Sequence, residues 1–365
     1  MDILQKPEPS SLENRTMWIA LTQAHRHLAE LKGLCESLPS SAILLETLAI
    51  QEAKDSSEIE NIITTHDELF SYDHSNSNSL AAKKVQHYLR ALEIGDKAVR
   101  ETGLIRISTI LDIQARIEQS NAGFRKVPGT VLKNQSTGAV VHTPPQDAIH
   151  IEKLMGEWVD FIHADDEFDP LLKMAIAHHQ FETIHPFYDG NGRTGRILNS
   201  LMMQRDGLLN VPVFYLSRYI TSTKTQYYEL LQSTRTSNDW NPWCLYIALG
   251  VARIAKSEIQ LIKKMRDLMQ VTKQRLKQDL PKIYSQELLN NLFRYPYSKI
   301  EFIERDVGVS RITAAKYLDL LAQNNFVFKK KVGRTNFYIN QPLFDLLSNI
   351  SIDWSGHKDD DDSDF

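Results

Sequence analysis

Twelve consecutive residues, His185-Pro186-Phe187-Tyr188-Asp189-Gly190-Asn191-Gly192-Arg193-Thr194-Gly195-Arg196, put an imidazole, a carboxylate, three glycines and two guanidinium groups in one stretch. That inventory suits the handling of a nucleoside triphosphate with a divalent metal. An imidazole titrates near neutrality and can take a proton. A hard cation prefers carboxylate and phosphate oxygens. Guanidinium is shaped to fork onto phosphate oxygens. Gly190 and Gly192 let a phosphate approach the backbone with no side chain in the way. Two plainer readings stand beside this one. His178, His179 and His185 have spacings at which histidines bind zinc, although no cysteine lies nearby and the glycines and arginines would then have no role. Arg193 and Arg196 also fit ordinary solvated helix charges.

The elements that must hold these residues can be read around them. The helical stretch Leu171 to Ile184 should stop before Pro186, because proline disfavours helix in the residue ahead of it. A fresh helix is expected from near Gly192 through Met203, so the motif becomes a loop feeding a helix N-terminus, where free N–H groups and the dipole favour anions. Gly195 inside that helix costs about 1 kcal/mol relative to alanine, which close packing or close approach of a ligand would explain.

The run resembles the signature of the Fic family, His-Pro-Phe-x-Asp/Glu-Gly-Asn-Gly-Arg-x-x-Arg, with every defined position filled. The resemblance implies a helical enzyme that moves AMP from ATP onto a protein hydroxyl. It makes His185 the general base and Asp189 the Mg²⁺ ligand. Gly190, Asn191 and Gly192 become the anion hole within an ATP site that continues through Thr194 and Gly195. Arg193 and Arg196 neutralise the departing pyrophosphate, and Phe187 anchors the loop in the core. Upstream, Ser56-Ser57-Glu58-Ile59-Glu60-Asn61 fits the family's inhibitory pattern Ser/Thr-x-x-x-Glu-Gly/Asn, with Ser56, Glu60 and Asn61 at the defined positions. In the family that glutamate pairs with the second arginine, here Glu60 with Arg196, and withholds it from the γ-phosphate.

Residues 123–132 and 139–145, around a turn at 133–138, read as a β-hairpin. In Fic proteins a hairpin here, the flap, docks the target by strand pairing, with Ala139, Val140, Val141 and His142 along the nucleotide; an unpaired ribbon edge suits a peptide, and a plain surface hairpin is the alternative. The resemblance also brings Tyr227 and Tyr228 to the adenine side, though tyrosines are as often core. Asn199 either faces the nucleotide or bridges backbone.

The chain has 365 residues, 42% hydrophobic and 24% charged, with a net charge of −4. A packed protein of two or three domains is expected. The near charge balance excludes a wholly basic nucleic-acid coat. Cys35 and Cys244 read as buried thiols in a reducing, cytoplasmic setting. The first residues do not read as a signal peptide, and no apolar run is long enough for a bilayer. The expected fold is mainly α. It has an N-terminal helical region with the inhibitory motif (1–79), a Fic helical core with its flap (80–250) and a connecting helix (251–280), then a small winged helix-turn-helix domain (281–345) and a disordered acidic tail (351–365). Ser71 to Ser79 reads as an exposed linker. Within the winged-helix region Ala315, Leu318 and Leu321 read as the apolar face of the second helix. Residues 281–341 hold ten Lys and Arg against five Asp and Glu. Such a basic island suits a phosphate backbone, with Arg311, Thr313 and Lys316 on the recognition helix and Lys329, Lys330, Lys331 and Arg334 on the wing.

These readings converge on a Mg²⁺-dependent protein adenylyltransferase that uses ATP to modify Tyr, Ser or Thr hydroxyls of a target protein and of itself, autoinhibited by Glu60, with a homodimer expected from the family. Removal of AMP from a modified protein, or transfer of another phosphate-containing group, would use the same site. A DNA-binding regulator with a nucleotide sensor is the reading from another class.

Overall fold

The structure is a computed structural model that describes residues 4–37, 41–70, 79–133, 137–212, 214, 216–332 and 335–349. Among these, fifteen α-helices and five short strands follow one another. They are α1 (Arg15–Ser37), α2 (Ser41–Ile59), α3 (His66–Phe70), α4 (Leu80–Thr102), α5 (Ile107–Glu118), β1 (Leu132–Lys133), β2 (Val140–His142), α6 (Ala148–His163), α7 (Pro170–Ile184) and α8 (Asn191–Arg205). Then come α9 (Leu216–Ser222), α10 (Lys224–Ser237), α11 (Asn241–Asp279), α12 (Gln286–Arg294), β3 (Tyr297–Ser298), α13 (Ile300–Val307), α14 (Arg311–Gln323), β4 (Phe328–Val332), β5 (Thr335–Ile339) and α15 (Gln341–Ser348). They fall into two compact units: Met1–Lys32 with Ile50–Ile63 and Lys83–Ala255, and Gly33–Ala49 with Thr64–Ala82 and Lys256–Phe365. Among the described residues no helix is long and apolar enough to cross a membrane. Both cysteines are free and buried.

The first unit is built around α7, which is buried at every position from Leu171 to Ile184. Asp169 caps it by accepting the Leu171 N–H at 2.8 Å, and Pro170 fills the first helical position, where no amide hydrogen is needed. A helix buried all round must satisfy its polar side chains internally. Lys173 Nζ donates to Asp166 at 2.7 Å and to the Ala164 carbonyl at 2.6 Å. The Nε2 atoms of His178 and His179 meet the Tyr227 hydroxyl (3.0 Å) and the Leu231 carbonyl (3.1 Å). Helix α8 lies close against α7: a Cβ on Gly195 would come within 3.1 Å of Glu182 Oε1 and 3.2 Å of Phe181 Cδ1. Gly195 therefore serves helix packing.

The second unit contains α12, β3, α13, α14, β4, β5 and α15 in that order, with an antiparallel sheet ordered β3-β5-β4. Tyr297 pairs with Ile339, and Phe328 through Val332 pair with Ile339 back to Thr335. Gly308, at φ 73°, makes the sharp turn between α13 and α14. The buried face of α14 is Ala314, Leu318 and Leu321; Ala315, read as core, is only partly buried, one position off the i, i+4, i+7 stripe. Phe70 of α3 and Phe344 of α15 pack on Tyr297, Phe337 and Ile339, and the Tyr297 hydroxyl donates to Asp67. Residues 71–78, Arg334 and the acidic tail 351–365 lie outside the described residues.

The hairpin is much shorter than the sequence suggests. Among the described residues only Leu132–Lys133 and Val140–His142 pair, so Lys133, read as turn, is in the ladder, and residues 134–136 lie outside the described part. Residues 123–131 form no strand. Gly123 (φ 71°) and Gly129 (φ 114°) take conformations foreign to a strand, and Pro128 has no amide hydrogen for a ladder. Arg125 pulls the chain inward. Its buried guanidinium donates to the carbonyls of His185 (2.7 Å), Pro145 (2.8 Å) and Ile184 (3.3 Å).

Candidate active site

Helix α7 ends where Pro186 requires, with His185 in the left-handed region at φ 47° and its N–H returning to the Phe181 carbonyl at 2.9 Å. Arg125 caps the last carbonyls of α7, where a cation also meets the negative end of the helix dipole. Phe187 is fully buried against Phe124 and Phe181. Asn191 clamps the loop: its Oδ1 accepts the Phe187 N–H and its Nδ2 donates to the Phe187 carbonyl, both at 2.8 Å. Its side chain is thereby committed to the loop. Gly190, at φ 78°, is the N-cap of α8, so the helix opens at the glycine turn, with the N–H groups of its first turn lacking intrahelical acceptors.

His185 is half-buried, and its Nδ1 has no hydrogen-bond partner. Burial, with Arg125 and Arg235 nearby, lowers its pKa to about 3, so the imidazole is neutral at physiological pH. Asp189 is mostly exposed; its Oδ1 accepts the Gly190 N–H at 2.7 Å and lies 3.8 Å from Arg193. Among the described residues no group of three or more His, Cys, Asp and Glu side chains is arranged to hold a metal ion. A lone open carboxylate does fit Mg²⁺, which binds through one or two carboxylates together with substrate phosphates.

Both arginines of the turn are buried and both are occupied by carboxylate. Arg196 Nη2 donates to Glu60 Oε1 at 2.9 Å, while its Nε and Nη2 donate to the hydroxyl and carbonyl of Ser56, each at 2.7 Å. The other oxygen of Glu60 accepts Arg193 Nε at 2.7 Å, and Glu118 Oε1 accepts Arg193 Nη2 at 2.6 Å. Glu60 thus bridges both guanidinium groups. Burial works to raise its pKa, but Arg196 and Arg193 together hold it below the usual carboxylate range, so it is ionised. Gly192 makes room for it: an added Cβ would sit 2.6 Å from Glu60 Oε1 and 2.8 Å from Arg196 Nη1. Asn61 has φ 61° just after α2, with its Oδ1 accepting from Lys224 at 3.2 Å.

The remaining residues divide. Tyr228 is 48% exposed, whereas Tyr227 is buried on His178, Trp243 and Tyr246. Val140 and Val141 are exposed beside Ala139, but His142 turns back, its Nε2 meeting the Thr183 carbonyl at 2.9 Å. Thr194 and Asn199 are buried. In the second unit Arg311 is ion-paired with Glu301 (3.0 Å) and Glu304 (3.4 Å), Lys329 with Asp319 (2.7 Å) and Lys330 with Asp67 (3.8 Å), while Lys316 and Lys331 are exposed. Much of the basic island is therefore balanced by its own carboxylates. Sequence reasoning passed over Glu118, which ends an ordinary-looking helix. It also took Arg125 for part of a strand; the signal there was an arginine between Phe124 and a run of turn formers.

A neutral imidazole, an open carboxylate and two buried arginines around a glycine turn define an anion-handling site on a helical core. Residues 104–203 match the Fic/DOC family, residues 18–97 the Fic/DOC family N-terminal region, and residues 268–343 the protein adenylyltransferase SoFic-like C-terminal domain. The chain belongs to the Fic/DOC family. It is similar to "Protein adenylyltransferase fic-1" of Caenorhabditis briggsae, 34% identical over 110 residues covering 29% of this chain and 20% of that protein. It is also similar to "Protein adenylyltransferase Fic" of Culex quinquefasciatus, 26% identical over 224 residues covering 61% and 38%. The matched part thus spans well under half of either relative. A Fic family protein of Desulfovibrio desulfuricans shares the fold with a TM-score of 0.55 and 16% identity, over 93% of this chain and 98% of that one.

Proposed function

We propose that this chain is a protein adenylyltransferase that transfers AMP from ATP to Tyr, Ser or Thr hydroxyls of target proteins and of itself, and that Glu60 holds it inactive. The observation that carries the reading is the single ionised carboxylate of Glu60 bridging Arg193 and Arg196, the two groups best shaped for phosphate oxygens. The names of the relatives agree with this activity. ATP takes the glycine turn when Glu60 withdraws, and the exposed edge at Val140 and Val141 receives the target segment. His185 accepts the hydroxyl proton. The hydroxyl oxygen bonds to the α-phosphorus, the bond to the β-phosphate oxygen breaks, and pyrophosphate leaves against Arg193 and Arg196. The negative triphosphate raises the basicity of an imidazole that burial, Arg125 and Arg235 otherwise hold low. Asp189 would hold Mg²⁺, which supplies charge neutralisation on the phosphates.

The test is transfer of labelled AMP from ATP. Glu60→Gly should raise transfer roughly tenfold or more, the effect of releasing charge-assisted hydrogen bonds from both arginines. In that background His185→Ala should abolish transfer and Asp189→Ala should weaken Mg²⁺-dependent transfer. An active His185→Ala enzyme would exclude His185 as the base.

A further inference from the structure

Arg193 donates to two carboxylates, Glu60 and Glu118, with Asp189 Oδ1 a third at 3.8 Å, and of the two it donates to only Glu60 belongs to the N-terminal segment. Glu60 is the residue after α2, whereas Glu118 is the last residue of α5, packed on the other side of the turn. Helix α5 braces the glycine turn at two points one helical turn apart, which puts both on one face. Gln114 Nε2 donates to the Asp189 carbonyl at 3.1 Å, and Glu118 takes Arg193 at 2.6 Å. Glu118 also lies against Gly190, where an added Cβ would stand 2.8 Å from its Oε1. The guanidinium of Arg193 is 1% exposed, and its Nη1 is buried with no partner.

We propose that Glu118 is a positioning residue for nucleotide binding: it keeps Arg193 in place by Nη2 when Glu60 leaves, so that the freed Nε–H stays at the glycine turn, available to a phosphate oxygen. The inference rests on the nucleotide reading above. A buried cation stripped of Glu60 would be costly if left without a counter-charge. Glu118 supplies that charge from a helix outside the inhibitory segment. It also anchors one end of the guanidinium, so that the donor Glu60 releases stays at the glycine turn.

The experiment uses the full chain carrying Glu60→Gly, with ATP and Mg²⁺ titrated by calorimetry and labelled AMP transfer followed in parallel. Glu118→Ala should raise the Kd and KM for ATP roughly tenfold, as expected for the loss of one charge-assisted hydrogen bond, while kcat changes much less. Glu118→Gln, which keeps an acceptor oxygen but not the counter-charge, should recover part of the loss. Glu118→Met, which keeps the bulk without an acceptor, replaces the alanine variant should that one not fold. In an Arg193→Ala background the same Glu118 substitutions should have no further effect, because the residue acts through Arg193. Losses that add to those of Arg193→Ala, a glutamine variant as poor as alanine, or an unchanged Kd would overturn the proposal. A parent that binds ATP but transfers no AMP would sink the transferase reading, yet the Kd series would still judge Glu118. A parent that binds no ATP would sink both.

Discussion

Asn61 shows why the inhibitory pattern accepts only glycine or asparagine at its last position. The residue sits at φ 61°, its N–H returns to the Glu58 carbonyl at 2.9 Å, and the Ile62 N–H returns to Ser57 at 3.0 Å. Left-handed backbone closes the helix and sets Glu60 against the arginines. Asn61→Gly should preserve inhibition. Asn61→Val should cost about 1–2 kcal/mol in that conformation and raise basal AMP transfer severalfold; an unaltered basal rate would show that the helix end does not govern Glu60. The pairing of Glu60 with Arg196 was implied by the family resemblance of the two motifs. The hold on Arg193 was not: Glu118 lies 75 positions away and no local pattern marks it. Contacts of that kind are created by packing.

Among the elements, α7 and α8 were readable nearly to the residue, because proline, glycine and capping aspartate mark their ends. The flap was not. A turn-like composition between two segments suggested a hairpin of two long strands, but the buried Arg125 diverts one of them and two glycines break it. Complete burial of α7 has a consequence in acid. His178 and His179 have pKa values lowered to about 3, chiefly by burial, from 6.5 in an open chain. A depressed histidine contributes stability that is fully present above pH 6.5 and is lost as pH falls toward 3, because only the unfolded chain takes up the proton. Each should contribute a slope of about 1.4 kcal/mol per pH unit below 6.5. Urea titrations at pH 6.5 and 4.5 should therefore show a smaller loss of stability in His178→Gln and His179→Gln than in the parent. Equal losses would mean that the histidines are protonated in the folded state.

At the scale of the whole chain, the order of regions could be read but their grouping could not. Residues 33–49 and 64–82, which precede the catalytic helices, belong with the C-terminal unit. Periodicity reveals which face of a helix is apolar but not which neighbour covers it, and the aromatic contacts of Phe70 with Tyr297 and Phe344 decide the matter for α3. Burial raises the pKa of both thiols, that of Cys35 to about 12, so iodoacetamide at neutral pH should label neither in the native chain and both in urea. Mg²⁺ and ATP should raise the melting temperature of Glu60→Gly more than that of the parent, since ligand at 100 times Kd adds about 2.7 kcal/mol; equal shifts would show that Glu60 does not compete with nucleotide.

Gly192 admits the carboxylate of Glu60 for the same reason that it would admit a phosphate, namely the missing Cβ. Lock and keyhole therefore share one atom's worth of space. No side chain placed there can bar the inhibitor without also barring the substrate, and Arg196 would be displaced in either event. Variants freed from restraint should consequently accumulate on α2 and its closing residues, while position 192 stays glycine in silent and active forms alike.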